Sequence, residues 1–230
     1  MPTANCDLCN EFSGKLPNIF ETIYGSDPKS RVLFRSNDFV VVPSLGQITE
    51  GHLLLLPLEH RTALGDLPES LLEDLTTLSG SVAAILREEY GSCITFEHGV
   101  RPGDSGGCGI SHAHLHAVPF SEALDPFDIL KSTFSYKRIE DLNEIKEQSA
   151  GLSGYLFYQD AHSRAHLFNA PNLISQYMRK LLVELQGADD WDWRSAGKED
   201  RLLATLNRLS NRFEAITIFR ESQARYGNAQ

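Results

Sequence analysis

The chain has 230 residues and a formal charge of −10 at pH 7, with 21 basic residues against 31 acidic ones. An acidic balance of that size argues against unspecific binding to nucleic acid or to an anionic membrane, both of which need basic surface. A hydrophobic content of 41% suffices for a folded core, and no apolar stretch approaches membrane-spanning length.

Met1 to Cys6 shows no basic segment followed by an apolar run, so cytoplasmic residence is the expectation. Cys6, Cys9, Cys93 and Cys108 then read as thiols or metal ligands before disulfides. After Cys6-x-x-Cys9, the residues up to Ile23 form a weakly helical or irregular lead-in. Val32–Phe34 and Phe39–Val42 read as short strands about the turn Ser36-Asn37-Asp38, and His52–Leu56 reads as a continuous apolar strand buried on both faces.

Asp66-Leu67-Pro68-Glu69 resembles a helix start. Leu71, Leu72, Leu75, Leu78, Val82, Ile85 and Leu86 recur at helical steps until Gly91, giving the best-defined helix of the chain. Cys93–Phe96 is a further strand, with Cys93 a buried small residue. Gly99–Gly109 is a glycine-rich loop, equally suited to a plain hairpin connection or to bringing backbone amides close to phosphate.

Residues 121–150 form an acidic connector with room for a short helix. Gly154–Tyr158 and Ala165–Phe168 are expected as strands. A helix runs from Ser175-Gln176 to Leu185, and a last one carries Leu202, Leu203, Leu206, Leu209 and Phe213. His162 and His166 read as structural, Trp191 and Trp193 as packing anchors, and Arg179 and Arg194 as a solvated helix face, with reach to an anionic ligand as the alternative.

The chemistry is concentrated in Ser111-His112-Ala113-His114-Leu115-His116-Ala117-Val118. In an extended strand, alternate side chains share a face, so three imidazoles are expected on one side and Ala113, Leu115 and Ala117 on the other. A neutral imidazole can attack phosphorus and form a covalent intermediate when a neighbour fixes the proton on its other nitrogen.

Gly109–Val118 resembles the His-φ-His-φ-His-φ-φ signature of the histidine-triad (HIT) superfamily, whose members hydrolyse or transfer nucleotidyl groups through a nucleotidyl-histidine. Gly51-His52-Leu53-Leu54-Leu55-Leu56-Pro57-Leu58-Glu59-His60 resembles that family's Gly-His, strand, Pro-x-x-His segment, and Cys6-x-x-Cys9 resembles the pair in its zinc-carrying members. The resemblance implies an α+β fold, a mainly antiparallel sheet with packed helices, over residues 1–120. An α/β extension, residues 121–230, would pack on it.

By the same resemblance His114 is the nucleophile. His112 and His116 complete the catalytic set, and His52 adds a donor at the phosphate. Cys6, Cys9, His60 and His112 match the four ligands of a structural zinc. Alone, Cys-x-x-Cys leaves redox and packing roles open. The resemblance also implies a homodimer acting on a small phosphate-bearing or nucleotide substrate.

Around the substrate the sequence departs from the family pattern. Cys108 stands where glutamine is common, Gly109 replaces a hydroxyl residue, Glu97-His98-Gly99 replaces Asn-x-Gly, and Ser44 takes the place of a ribose-binding aspartate. His98 is either a phosphate or leaving-group contact or an exposed loop histidine. The expected activity is hydrolysis or transfer at the α-phosphorus of a dinucleoside polyphosphate or nucleoside phosphoramidate. A specialised enzyme acting on a non-nucleotide ester and a non-catalytic binding protein are the alternatives.

Overall fold

Eight antiparallel strands form one sheet, described with the rest of the chain by a computed structural model covering residues 6–14, 18–25, 30–100, 110–195 and 197–227, with side chains to Glu214. They are β1 (Phe34–Arg35), β2 (Phe39–Pro43), β3 (Leu53–Pro57), β4 (Ile94–Val100), β5 (Leu115–Val118), β6 (Tyr136–Ile139), β7 (Gly154–Gln159) and β8 (Ala165–Asn169). Their spatial order is β1-β2-β3-β5-β4-β7-β8-β6. Both halves of the chain therefore contribute to one sheet, β7 pairing along β4 from Thr95↔Gln159 to Val100↔Gly154.

The register fixes which side chains share a face. Leu53, Leu55, Leu115, Ala117, Phe157 and Leu167 point one way and pack against the long helix α3 (Glu69–Tyr90). The expected leucine stripe is that contact, with Leu72, Leu75, Val82 and Leu86 fully buried. Each such side chain contributes about 1.5–3 kcal/mol relative to exposure.

The opposite face carries the histidines, and three segments cover it. Helix α1 (Asp7–Phe12) packs Leu8 with Cys6 and Cys9 on Val40, Val42, Leu54 and Leu56. Helix α6 (Tyr177–Leu185) packs Met178, Leu182 and Val183 on Phe96, Leu156 and Phe168. Between them Phe20, from helix α2 (Ile19–Tyr24), clusters with Leu45, Trp193 and Leu202, the last from helix α7 (Glu199–Gly227).

The connector departs most from expectation. It holds helix α4 (Phe127–Thr133), helix α5 (Ile145–Gln148) and, between them, β6. Tyr136-Lys137-Arg138 is exposed and polar, as suits an edge strand, so no alternation announces it. The triad strand is also shorter than its motif: only Leu115–Val118 is paired, because Ala113 N–H leaves the ladder to donate to Arg61 O at 2.6 Å.

Candidate active site and metal centre

Two groups of side chains grow from the segment around β5. The first lies where His112 precedes the strand. Its Nε2 is 2.8 Å from Pro57 O, a carbonyl that only accepts, so the proton sits on Nε2 and Nδ1 presents its lone pair. That lone pair lies 3.4 Å from Cys6 Sγ and 3.5 Å from Cys9 Sγ, while His60 Nδ1 is 3.4 Å from Cys9 Sγ.

The four possible ligand atoms all lie within 4.8 Å of one another. Tetrahedral zinc, with bonds of about 2.3 Å to sulfur and about 2.0–2.1 Å to nitrogen, separates sulfur from nitrogen by about 3.6 Å. The donors therefore fit a Cys2His2 metal centre. Burial pushes the Cys6 thiol up to about 11, and a bound cation would reverse that preference. Cys6 also caps α1, accepting from Cys9 N–H, so local helix geometry sets the two sulfurs side by side.

The second group faces a cavity. His114 Nδ1 lies 2.6 Å from His112 O, so it carries the proton and leaves Nε2 with a bare lone pair. His52 Nδ1 accepts from Ile48 N–H at 3.3 Å, and its Nε2 is 2.8 Å from His116 Nδ1. With both rings neutral, His52 donates to His116, whose own proton is then on Nε2. His116 stacks on Phe96 with centroids 4.3 Å apart, and its centroid is 4.8 Å from that of His114.

Burial drives these imidazoles toward the neutral form: His114 falls to about 4, His98 to about 3, and His52 and His116 lie well below their ordinary value. The Arg179 charge adds to that effect at His52, His114 and His116. The site is thus a set of neutral donors and acceptors in which partners fix the tautomers of His52, His114 and His116.

A cavity of about 30 Å³ opens in front of His114 and His116, with room for about two waters. Its wall includes Ser44, Leu54, Arg31, Arg179 and Trp193. Arg31 is held by Glu11, with Nη2 2.7 Å from Oε2, and donates to Pro43 O at 2.5 Å.

Of the expected substrate residues, the fold brings His52 and Ser44 to the histidine pair. His98 joins them on β4: it lies two residues beyond Phe96, which pairs with His116, so it shares their face beside His114. It is buried, and neither of its ring nitrogens has a hydrogen-bond partner among the described residues. Glu97 goes to the other face, where Oε1 accepts from Leu64 N–H at 2.6 Å and Oε2 from Tyr155 O–H at 2.8 Å. Cys108 and Gly109 lie outside the described residues, as does most of the glycine-rich loop.

Arg179 corrects the sequence reading. It is 3% exposed, not a solvated helix face, and lines the cavity. Helical spacing held the signal, since Arg179 stands three and four residues before Leu182 and Val183, both on the buried side of α6. Trp193 is a packing residue as expected, and its place in the cavity wall had no sequence signal.

Residues 26–123 match the family model described as HIT domain. A curated relative, the bis(5'-nucleosyl)-tetraphosphatase [asymmetrical] of Schizosaccharomyces pombe, is 28% identical over 125 residues, which cover 54% of this chain. The alignment spans 65% of that relative's length. Among solved structures, a HIT family protein of Bacillus anthracis is 19% identical with a TM-score of 0.40, covering 52% of this chain and 76% of its own. A zinc-bound histidine triad family protein of Mycobacterium smegmatis is 19% identical with a TM-score of 0.37, covering 62% and 88%.

Proposed function

We propose that the chain, whose residues 26–123 match the HIT domain model, is a nucleotide hydrolase of the histidine-triad family working through a nucleotidyl-histidine at His114. The observation that carries this reading is the contact of His114 Nδ1 with His112 O, which leaves the Nε2 lone pair on the cavity side. A neutral imidazole so held needs no prior deprotonation to act as a nucleophile.

In the proposed reaction, His114 Nε2 attacks the α-phosphorus of a nucleotide conjugate. An N–P bond forms as the bond to the leaving group breaks, and the leaving group takes the bonding pair and then a proton. His116 Nε2–H stabilises the phosphoryl oxygens as charge builds, with His52 fixing its tautomer. Water then attacks phosphorus, the N–P pair returns to His114, and nucleoside monophosphate leaves with the water's hydroxyl, the water's other proton passing to solvent in place of the one the leaving group took from it.

Dinucleoside polyphosphates and nucleoside phosphoramidates are the proposed substrates, the first in keeping with the name of the fission-yeast relative. The cavity suits a phosphoryl group, so the nucleoside has to lie over or displace part of the wall formed by Ile19, Ile110 and Trp193. A non-nucleotide phosphate ester is the second reading, favoured by Ser44, whose hydroxyl is engaged by Arg179 at 3.2 Å.

Cys6, Cys9, His60 and His112 would hold zinc. With four protein ligands a bound zinc is a structural tie with no open position for chemistry. We further propose a cytoplasmic homodimer. The β4 edge of the matched region is already paired with β7, so dimerisation uses another surface.

Intact-mass spectrometry after brief incubation with diadenosine tetraphosphate or adenosine 5'-phosphoramidate tests the central step. The expected result is an adenylyl adduct on the wild-type chain that His114→Ala cannot form. Undiminished turnover by His114→Ala would defeat the reading in favour of a different nucleophile, and absence of turnover by either chain would favour a binding protein.

A further inference from the structure

The loop between β2 and β3 leads into His52 and is held from helix α7. Arg201 and Thr205 stand four residues apart on α7 and so share the face turned to that loop. Arg201 Nη1 donates to Gln47 O at 3.2 Å and to Ile48 O at 2.9 Å. Thr205 Oγ1 donates to Gln47 Oε1 at 2.9 Å and accepts from Gly51 N–H at 2.8 Å, while Gln47 Nε2 donates to His52 O at 3.3 Å. Gln47, His52 and Thr205 are fully buried.

These bonds meet at the peptide unit between Gln47 and Ile48. In a planar trans peptide the oxygen and the N–H point in opposite directions, so holding one end aims the other. Arg201 holds Gln47 O, and Ile48 N–H at the other end donates to His52 Nδ1 at 3.3 Å. That bond keeps the proton of neutral His52 on Nε2, which donates to His116 Nδ1 at 2.8 Å and leaves the His116 proton on Nε2. Turned over, the same peptide would present its oxygen to His52 Nδ1. Both rings would then change tautomer, and His116 would offer a phosphoryl oxygen a lone pair in place of N–H.

We propose that Arg201 and Thr205 are positioning residues that set the tautomer of the His52–His116 pair by fixing the direction of the Gln47–Ile48 peptide. Helix α7, which lies outside residues 26–123 of the family match, thereby decides whether the phosphoryl site holds a donor. Neither residue lines the cavity, so each acts through the loop. The effect on turnover rests on the role given to His116 in the hydrolase reading above; the tautomer does not.

The test reads the full chain, its histidines labelled with the heavy nitrogen isotope, in a long-range proton–nitrogen correlation spectrum at neutral pH. Protonated and bare imidazole nitrogens resonate far apart there, and the His116 signals are assigned by their absence in His116→Ala. Wild type and Thr205→Ser are expected to show His116 protonated at Nε2. Thr205→Val keeps the shape and Arg201→Met the stem, and each loses its hydrogen bonds to the loop. Both are expected to move the His116 proton to Nδ1 in part or all of the molecules. In the same two variants kcat for adenosine 5'-phosphoramidate is expected to fall about 10- to 100-fold, short of the full loss of one transition-state donor, with KM within about twofold.

Either folded variant with His116 still protonated only at Nε2 overturns the proposal, even if it melts earlier, because a merely structural brace would lower the melting temperature and leave the tautomer alone. So does a wild-type chain with that proton on Nδ1, or a shift in Thr205→Ser equal to that in Thr205→Val. Should Thr205→Val fail to fold, Arg201→Met, at an exposed position, decides. The nitrogen spectrum needs no substrate. A chain whose tautomer shifts as expected but which forms no adduct at His114 therefore defeats only the hydrolase reading.

Discussion

His112 gives its backbone oxygen to His114 Nδ1 at 2.6 Å while its ring, bonded to Pro57 O, turns its lone pair toward Cys6 and Cys9. One residue thereby joins the Cys6, Cys9 and His60 group to His114. The link from the cysteines to His114 runs through the His112 backbone and not through its ring.

The chain as purified is therefore expected to carry one zinc, read by elemental analysis, and Cys9→Ala to lose it. A tie worth on the order of 3 kcal/mol lowers the melting temperature by about 6–12 °C in a chain of this size. Turnover at low temperature should also fall, because the carbonyl that sets the His114 tautomer is no longer anchored. Full zinc content and an unchanged melting curve in Cys9→Ala would remove the metal centre.

The pair of His52 and His116 should behave as one unit. Replacing His52 by Ala leaves His116 Nδ1 without its donor and frees the ring to take the other tautomer. A fall in kcat of about 10- to 100-fold is expected, and His116→Ala added to it should cost much less than the product of the single effects. Fully multiplicative losses in that double-mutant cycle would show the two rings acting independently.

Buried neutral histidines also set a pH dependence of stability. His98 falls to about 3 in the folded chain and titrates near 6.5 when unfolded, so between those values the unfolded state binds more protons. Its contribution is complete above pH 6.5 and declines as the pH drops toward 3, with His52 and His116 acting in the same direction. Each contributes a slope of up to about 1.4 kcal/mol per pH unit. Denaturant titrations at pH 7.5 and 5.5 should give a lower midpoint at 5.5, and His98→Phe should flatten the difference.

Glu97 lies on the far side of the sheet and should matter to folding alone. Glu97→Ala strands Leu64 N–H and Tyr155 O–H, at about 1–3 kcal/mol for each buried group. The expected outcome is a clear drop in melting temperature with kcat/KM within about twofold of wild type. A large loss of kcat/KM in folded protein would return Glu97 to the substrate.

Much of this was legible in local pattern. The leucine spacing of residues 71–86 gave α3 because a helix facing a sheet must repeat every three to four residues. The apolar runs gave β2, β3, β7 and β8, and the alternation gave the histidine segment, whereas the grouping of Cys6, Cys9, His60 and His112, far apart in sequence, came from the family resemblance. The polar edge strand β6 was not legible, since an edge in water needs no alternation.

Side-chain periodicity by itself fixed an amphipathic helix, several apolar strands and a segment of alternate histidines, because these follow from which neighbours a residue has along the backbone, while the α+β fold came from the family resemblance. Which way Glu97 points, which nitrogen of His114 carries the proton, and that Arg179 stands in the cavity were decided only by the folded chain. The first depends on strand register, the second on how the backbone turns between His112 and His114, and the third on contacts across more than a hundred residues, such as Arg179 with Ser44, and no side-chain spacing records any of them.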